Sequence, residues 1–419
     1  MNKTLNDIQA SGGALNDQQV MELVSGSKFT NILTKRSFGR MKVVTPAAGG
    51  FTCTTQFEVE APFGAVRIGI PNLHTAAIAG VKVQVAVGNA WAGAGHWELP
   101  TTPAGGTWIN VTFNGAASGS LAARIDANNA SITYTDLIPL RSLVRADGGR
   151  PILAVRIQYP DGAIVTCPGN DFYGWRTFTT SGRPMRASSQ GVLGIDTPAN
   201  YTTTTSVDTN VCVPVVEYHT DAPGRQVMLL GDSTVEGSGA SSARAWGAVQ
   251  RAITEVSTQD KPIEYYNMAL HGGGNGAFVP GLNYAFPVVR PSVIFAAPLS
   301  VNDIAVGGMN YLAWNGWKNA MDNIVDKKVE TYIMGTLPFN AAFRDVNAND
   351  VHRRDLNAFM SKMLNVTYVE GYVEAFSGPL DGDGQTTIIS GLSGDNVHPN
   401  DVGYTALKET VKPYVEALV

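Results

Sequence analysis

The chain has few charges, few cysteines, no long apolar run and no concentration of positive charge. Charged residues make up 16% of its 419 residues, too few for a disordered acidic or basic tail or for a charge-laced helical rod. Lysine and arginine number 30 against 35 aspartates and glutamates, a net charge of −5. The basic clusters Lys35-Arg36 and Lys327-Lys328 are only pairs, which argues against a nucleic-acid partner. Cys53, Cys167 and Cys212 lie far apart and match no zinc or redox spacing. They read as buried thiols, or with Cys167 and Cys212 as a disulfide, and all precede residue 221. No window holds 18 uninterrupted apolar residues, so no membrane span is predicted. The opening MNKTLNDIQASGG has no apolar core of a secretory leader. That leaves the cytoplasm, or a particle such as a phage tail released by lysis, as the expected setting.

What is present divides into two grammars. Residues 1–30 are polar, with one weak helical pattern over 16–24, and read as an arm or attachment segment through which the chain could assemble into an oligomer or particle. From 31 to 220 the chain reads as strand after strand, over 55–60, 65–70, 81–87, 107–113, 131–135, 152–159 and 176–180. Val81, Val83, Val85 and Val87 alternate with Lys82, Gln84 and Ala86, the period-two pattern of a half-buried strand. Turn residues separate the runs; 45 glycines and 22 prolines are available for this. The expected architecture is an all-β sandwich or jelly-roll-like domain. Asp221-Ala-Pro-Gly224 is the predicted linker.

From 221 to 419 short apolar runs alternate with helical patterns. Strands are predicted over 227–230, 263–270, 293–297, 331–335 and 366–373, and helices over 243–254, 311–326, 351–364 and 402–418. That order predicts α/β units around a parallel sheet. Pro413 is expected to kink the last helix or end its regular bonding early. Ligands of such sheets sit beyond the carboxyl ends of the strands, and polar or glycine-rich segments fall there: Gly231-Asp232-Ser233-Thr234, His271-Gly272-Gly273-Gly274-Asn275 and Ser300-Val301-Asn302-Asp303. A fourth, Gly394-Asp395-Asn396-Val397-His398-Pro399, precedes the final helix.

This set supplies what acyl transfer requires. Ser233 is the candidate nucleophile, His398 the general base, and Asp395 the carboxylate that orients the imidazole. The Ser233 N–H, a glycine N–H in 272–274 and the Asn302 side-chain amide are candidate oxyanion donors. The bland alternatives are a helix-capping Ser233 and a structural His398 packed against Tyr404. No G-x-S-x-G is present, so the elbow of the α/β-hydrolase fold is not supported. Ser25-x-x-Lys28 lacks the companion motifs of a Ser-Lys acylase.

Taken together, these blocks resemble those of the SGNH hydrolase family, also called the GDSL esterases and lipases. Gly231-Asp232-Ser233 is similar to the first block, and Asp395-x-x-His398 to the last. Ser300-Val301-Asn302-Asp303 is similar to the Gly-x-Asn-Asp block, with a serine in place of its glycine. Asn267-Met-Ala-Leu-His-Gly272 is similar to Asn-x-Gly-x-x-Gly, with Ala269 at the first glycine. The resemblance covers about 221–419. It implies a flavodoxin-like three-layer α/β/α sandwich and a metal-independent serine esterase that needs no cofactor. Ser233 would attack, with Gly272 (Gly273 by an alternative register) and Asn302 holding the oxyanion. Asp232 would shape the first turn and Asp303 would support Asn302. Family substrates range from acyl lipids to O-acetylated sugars, so the expected partner is a small acyl ester or O-acetylated glycan. The competing expectation is a non-catalytic glycan-binding or structural protein, for example of a phage particle, that keeps a hydrolase fold.

Other features carry less. His271 reads as loop structure or as a substrate contact, while His74, His96, His219 and His352 share no ligand spacing. Asp381-Gly-Asp383-Gly opens like a calcium loop, but Leu392 stands where the acidic ligand is needed. Trp91, Trp97 and Trp108 could stack on sugar rings or fill a core. The β-domain is accordingly expected as a carbohydrate-binding module, a cleft wall or an assembly domain.

Overall fold

The alternating valines are resolved by the computed structural model into buried and half-exposed faces of one strand. The structure describes residues 31–35, 41–44, 49–89, 106–125, 130–168, 185–190, 193–198, 214–240, 247–270, 272–300, 302–303, 311–338, 349–362, 368–373, 388–389, 391–395 and 397–419. In the first half the strands are β1 (Asn31–Lys35), β2 (Met41–Val44), β3 (Phe51–Glu58), β4 (Ala65–Asn72), β5 (Ile78–Gly88), β6 (Ile109–Val111) and β7 (Gly119–Leu121). They continue with β8 (Ser131–Tyr134), β9 (Ile138–Pro139), β10 (Ile152–Tyr159), β11 (Val165–Pro168), β12 (Met185–Gln190) and β13 (Val215–Thr220).

Two antiparallel sheets result, in the orders β1-β13-β4-β8 and β12-β3-β10-β5-β6, with β11-β2 as a separate pair. Val81, Val83 and Val85 of β5, Val155 and Ile157 of β10, and Ile68 and Ile70 of β4 belong to one apolar cluster. The two sheets therefore share a core. The strand expected over 107–113 shortens to β6, because Phe113 leaves it to form a bridge with Ala116. The strand expected over 176–180 and the arm of 1–30 lie outside the described residues.

The second half begins with β14 (Arg225–Leu230) and α1 (Ser233–Glu236), then α2 (Ala248–Val256), β15 (Ile263–Asn267), α3 (Asn275–Val289) and β16 (Val293–Ala296). It ends with α4 (Tyr311–Asp326), β17 (Glu330–Met334), α5 (Asn349–Met360), β18 (Val369–Val373) and α6 (Asp401–Glu416). The five strands are parallel, in the order β15-β14-β16-β17-β18. Val227 and Leu229 of β14 pack with Ile253 of α2 and Leu407 and Val411 of α6. Met228 and Leu230 point the other way, toward Leu282 of α3, Met321 of α4 and Leu356 of α5. A strand buried on both faces thus reads as a continuous apolar run, and helices flank the sheet on either side.

One helix is added to the predicted elements, and one of the two outcomes expected at Pro413 is excluded. Helix α3 is not among the predicted elements, since Gly276, Gly281, Pro280 and Pro287 all disfavour a helix. Burial overrides that propensity: Phe278, Leu282, Ala285 and Val289 fall on one face and are all buried. Pro413 does not end the last helix, which continues to Glu416.

The two halves touch through polar and apolar groups. The Thr34 N–H donates to Gln226 Oε1 at 2.7 Å and Gln226 Nε2 donates to Thr34 O at 2.9 Å. The Tyr218 hydroxyl donates to Glu264 Oε2 at 2.8 Å, and Ile132 and Val215 pack with the cluster around Met228 and Tyr266.

Candidate active site

Everything at this site depends on how closely the chain turns after β14. A Cβ at Gly231 would stand 2.3 Å from a Val235 methyl, so only glycine lets α1 fold back this tightly. Asp232 then caps α1. Its Oδ1 accepts from the Thr234 N–H at 2.8 Å and from the Thr234 hydroxyl at 2.6 Å. Ser233 becomes the first residue of α1 and is buried. The α1 turn is held from outside by Tyr404 of α6, whose hydroxyl lies 3.0 Å from Thr234 O and 2.8 Å from Ser238 O.

The loop before α6 builds the other half. Asp395 Oδ1 accepts from the backbone N–H groups of Val397 at 2.9 Å and His398 at 2.7 Å. The Ser393 hydroxyl donates to His398 O at 2.6 Å, and Ser393 and Pro399 form a bridge across the loop. Asn400 caps α6 by accepting from Val402 N and Gly403 N. The imidazole is thereby fixed between two partners: Nδ1 lies 2.7 Å from Asp395 Oδ2 and Nε2 lies 2.8 Å from Ser233 Oγ. With the carboxylate accepting at Nδ1, Nε2 is the acceptor for the serine hydroxyl. Burial pushes the Asp395 carboxyl up, but the hydrogen bonds from the His398 ring and from the two backbone amides outweigh it. They hold the group below the usual carboxylate range.

Asn302 lies in a third segment. Its Nδ2 donates to Ser300 Oγ at 2.9 Å and to Gly273 O at 3.1 Å. The Ser300 hydroxyl in turn donates to Asp232 Oδ2 at 2.7 Å. Asp303 accepts at Oδ2 from the Ser300 N–H at 3.1 Å. In the glycine segment, Gly272 has φ +69° and, its chain neighbours apart, no heavy atom within 4 Å of a Cβ placed on it. The Gly273 N–H donates to Leu270 O at 2.9 Å. A narrow cleft beside this cluster is lined by Thr234, Ala297, Leu299, Thr336, Pro338 and Val397.

The structure therefore brings Ser233, Asp395 and His398 into one hydrogen-bonded chain, and links Asn302 to Asp232. His271, Asn396, the Asp381–Asp383 segment, Ser25, Lys28, Cys212, Trp91 and Trp97 lie outside the described residues. Trp108 has the Arg156 guanidinium 4.1 Å from its ring centre. Cys53 is a buried free thiol. Among the described residues no three His, Cys, Asp or Glu side chains converge as metal ligands, and no helix is long and apolar enough to cross a membrane. Sequence reasoning missed the part played by Gly239, whose φ of +91° places it where a Cβ would stand 2.7 Å from His398 Cβ and from Pro399 O. It also read Ser300 only as a departure from the family pattern.

No family model and no curated protein matches the chain. Solved structures similar to it include a GDSL-like lipase from Bacteroides thetaiotaomicron, at 15% identity and a TM-score of 0.37, covering 46% of this chain and 89% of that one. A lipase/acylhydrolase from Enterococcus faecalis is similar at 15% identity and a TM-score of 0.36, covering 46% and 96%. A family 3 carbohydrate esterase from Clostridium thermocellum is similar at 20% identity and a TM-score of 0.34, covering 46% and 98%.

Proposed function

We propose that residues 221–419 form a metal-independent serine ester hydrolase of the SGNH type, on a flavodoxin-like sheet, with 31–220 as a β-sandwich accessory domain. Its substrate is a short acyl ester, such as an O-acetyl group on a carbohydrate. The observation that carries the reading is the unbroken chain from Ser233 Oγ through the His398 ring to Asp395, at 2.8 and 2.7 Å. The strand order β15-β14-β16-β17-β18 supports it, being the 2-1-3-4-5 order of flavodoxin-like sheets.

In this mechanism Ser233 Oγ attacks the ester carbonyl carbon while its proton passes to His398 Nε2. Asp395 stabilises the imidazolium that forms. The carbon–oxygen bond to the leaving alcohol breaks, and Nε2 returns the proton to the departing oxygen. Water then repeats the sequence on the acyl-enzyme, and the acid is released. Negative charge on the carbonyl oxygen is met by the Ser233 and Gly272 N–H groups and by Asn302 Nδ2. An oxyanion is a stronger acceptor than the neutral Gly273 carbonyl, so it replaces that carbonyl as the Asn302 partner.

Hydrolysis of p-nitrophenyl acetate and the octanoate ester, by wild type and Ser233→Ala, tests the reading. Loss of the nucleophile costs on the order of 10⁶-fold in kcat, the acetate is expected to be preferred, and EDTA is expected to leave the rate unchanged. Equal rates for wild type and S233A would leave a non-catalytic scaffold as the better account.

A further inference from the structure

Ser300 stands where the resembled family has a glycine, and it is fully buried. A hydroxyl has one proton to give and two lone pairs with which to accept. Here all three are assigned. The Ser300 oxygen accepts from the Asn302 backbone N–H at 3.0 Å and from Asn302 Nδ2 at 2.9 Å. Its single proton is therefore directed to Asp232 Oδ2, 2.7 Å away. Asp232 has its other oxygen committed to Thr234, in the turn that presents Ser233.

Ser300 thus connects the segment that carries the candidate nucleophile with the segment that carries Asn302. Glycine at 300 could make none of these side-chain contacts. The geometry points to Ser300 as a positioning residue: it orients the Asn302 amide toward the oxyanion and ties that orientation to the Asp232 turn. This rests on the ester-hydrolase reading above.

The physical reason for such a tie lies in the Asn302 amide itself. It has two hydrogens, and the oxyanion needs one of them. The second must then be held by a fixed acceptor, or the amide turns about its side-chain bonds and loses its aim. Ser300 Oγ is that acceptor, leaving the hydrogen that faces Gly273 O free to exchange its partner. Removing the hydroxyl leaves the Asn302 backbone N–H, Asn302 Nδ2 and Asp232 Oδ2 each short of one contact without touching Ser233, His398 or Asp395.

A double-mutant cycle on the full chain tests the proposal. Wild type, S233A, Ser300→Ala, N302A and the S300A/N302A pair are compared on p-nitrophenyl acetate, with thermal midpoints measured beside kcat and KM. S300A is expected to lower kcat by about 10- to 100-fold, the coupling range of groups in one hydrogen-bond network, with KM within a few-fold. In the N302A background the same substitution is expected to change kcat by less than about 3-fold, since the group it positions is gone. Should S300A fail to fold, the near-isosteric Ser300→Cys takes its place, with the same direction and the same loss of effect beside N302A.

An unchanged kcat in a folded S300A, with S233A inactive, overturns the proposal and leaves the hydrolase reading intact. So does an equal loss in the presence and absence of Asn302, which would make Ser300 a general structural residue. Wild type no faster than S233A removes the hydrolase reading, and the proposal falls with it.

Discussion

A methyl group at position 239 would press on both His398 Cβ and Pro399 O at 2.7 Å, on a backbone at φ +91° that side chains rarely adopt. Gly239→Ala is therefore expected to displace the imidazole and to cost about 1–3 kcal/mol of stability. A drop of tenfold or more in kcat/KM is expected with it, read from kinetics and a urea melt. Asn302→Ala is expected to lose about 10²- to 10³-fold in kcat with KM nearly unchanged, because the oxyanion donor proposed there would act as charge develops. Asp395 titrates below the usual carboxylate range. Its stabilisation of the His398 loop is present above the ordinary carboxylate pKa and is lost as pH falls through the lowered one. Asp395→Asn should flatten that acid limb of the thermal midpoint. That Ser233, Asp395 and His398 come together was legible in the sequence, because each is a titratable or nucleophilic side chain just beyond a strand or before a helix. Gly239 was not, since a close backbone approach across 159 residues of chain leaves no local pattern.

At the next scale, α2 and α6 are clasped by ion pairs. Glu255 of α2 meets both Lys408 and Lys412 of α6. The hydrogen bonds from these ammonium groups hold the Glu255 carboxyl down to about 2. The clasp is at full strength above the ordinary value of 4.5 and weakens as pH falls toward 2. It is partly exposed, so its worth is small and salt-sensitive. Glu255→Gln is expected to lower the thermal midpoint at pH 7 and low salt, with the gap to wild type closing at acid pH. Most elements here were readable from period alone: 311–326 is helix α4 to the residue, and Tyr404, Leu407, Val411 and Val415 mark the buried face of α6. Helix α3 was not, although Phe278, Leu282, Ala285 and Val289 carry its period. Two prolines and two glycines masked a pattern that only packing on the sheet sustains.

Across the whole molecule, Glu264 is fully buried where the two halves meet. It accepts from the Tyr218 hydroxyl at 2.8 Å and from the Glu60 N–H at 3.4 Å, while Arg150 donates to Thr254 O at 2.7 Å. Glu264→Ala leaves Tyr218 with an orphaned buried donor, at a cost of about 1–3 kcal/mol. Because Ile132 and Val215 also pack with the second half's cluster, the two halves are expected to unfold in one calorimetric transition, which the substitution moves down without splitting. The triad adds a consequence in time. Asp395 and His398 are three residues apart, whereas Ser233 and His398 are 165 apart. The first contact is closed by a single loop and needs almost no search. The second must wait until β14 has entered the sheet and α6 has packed against one face of it. In refolding, the acid–base pair is thus expected to assemble early and inert, and the proposed activity to return only once this long-range contact has closed.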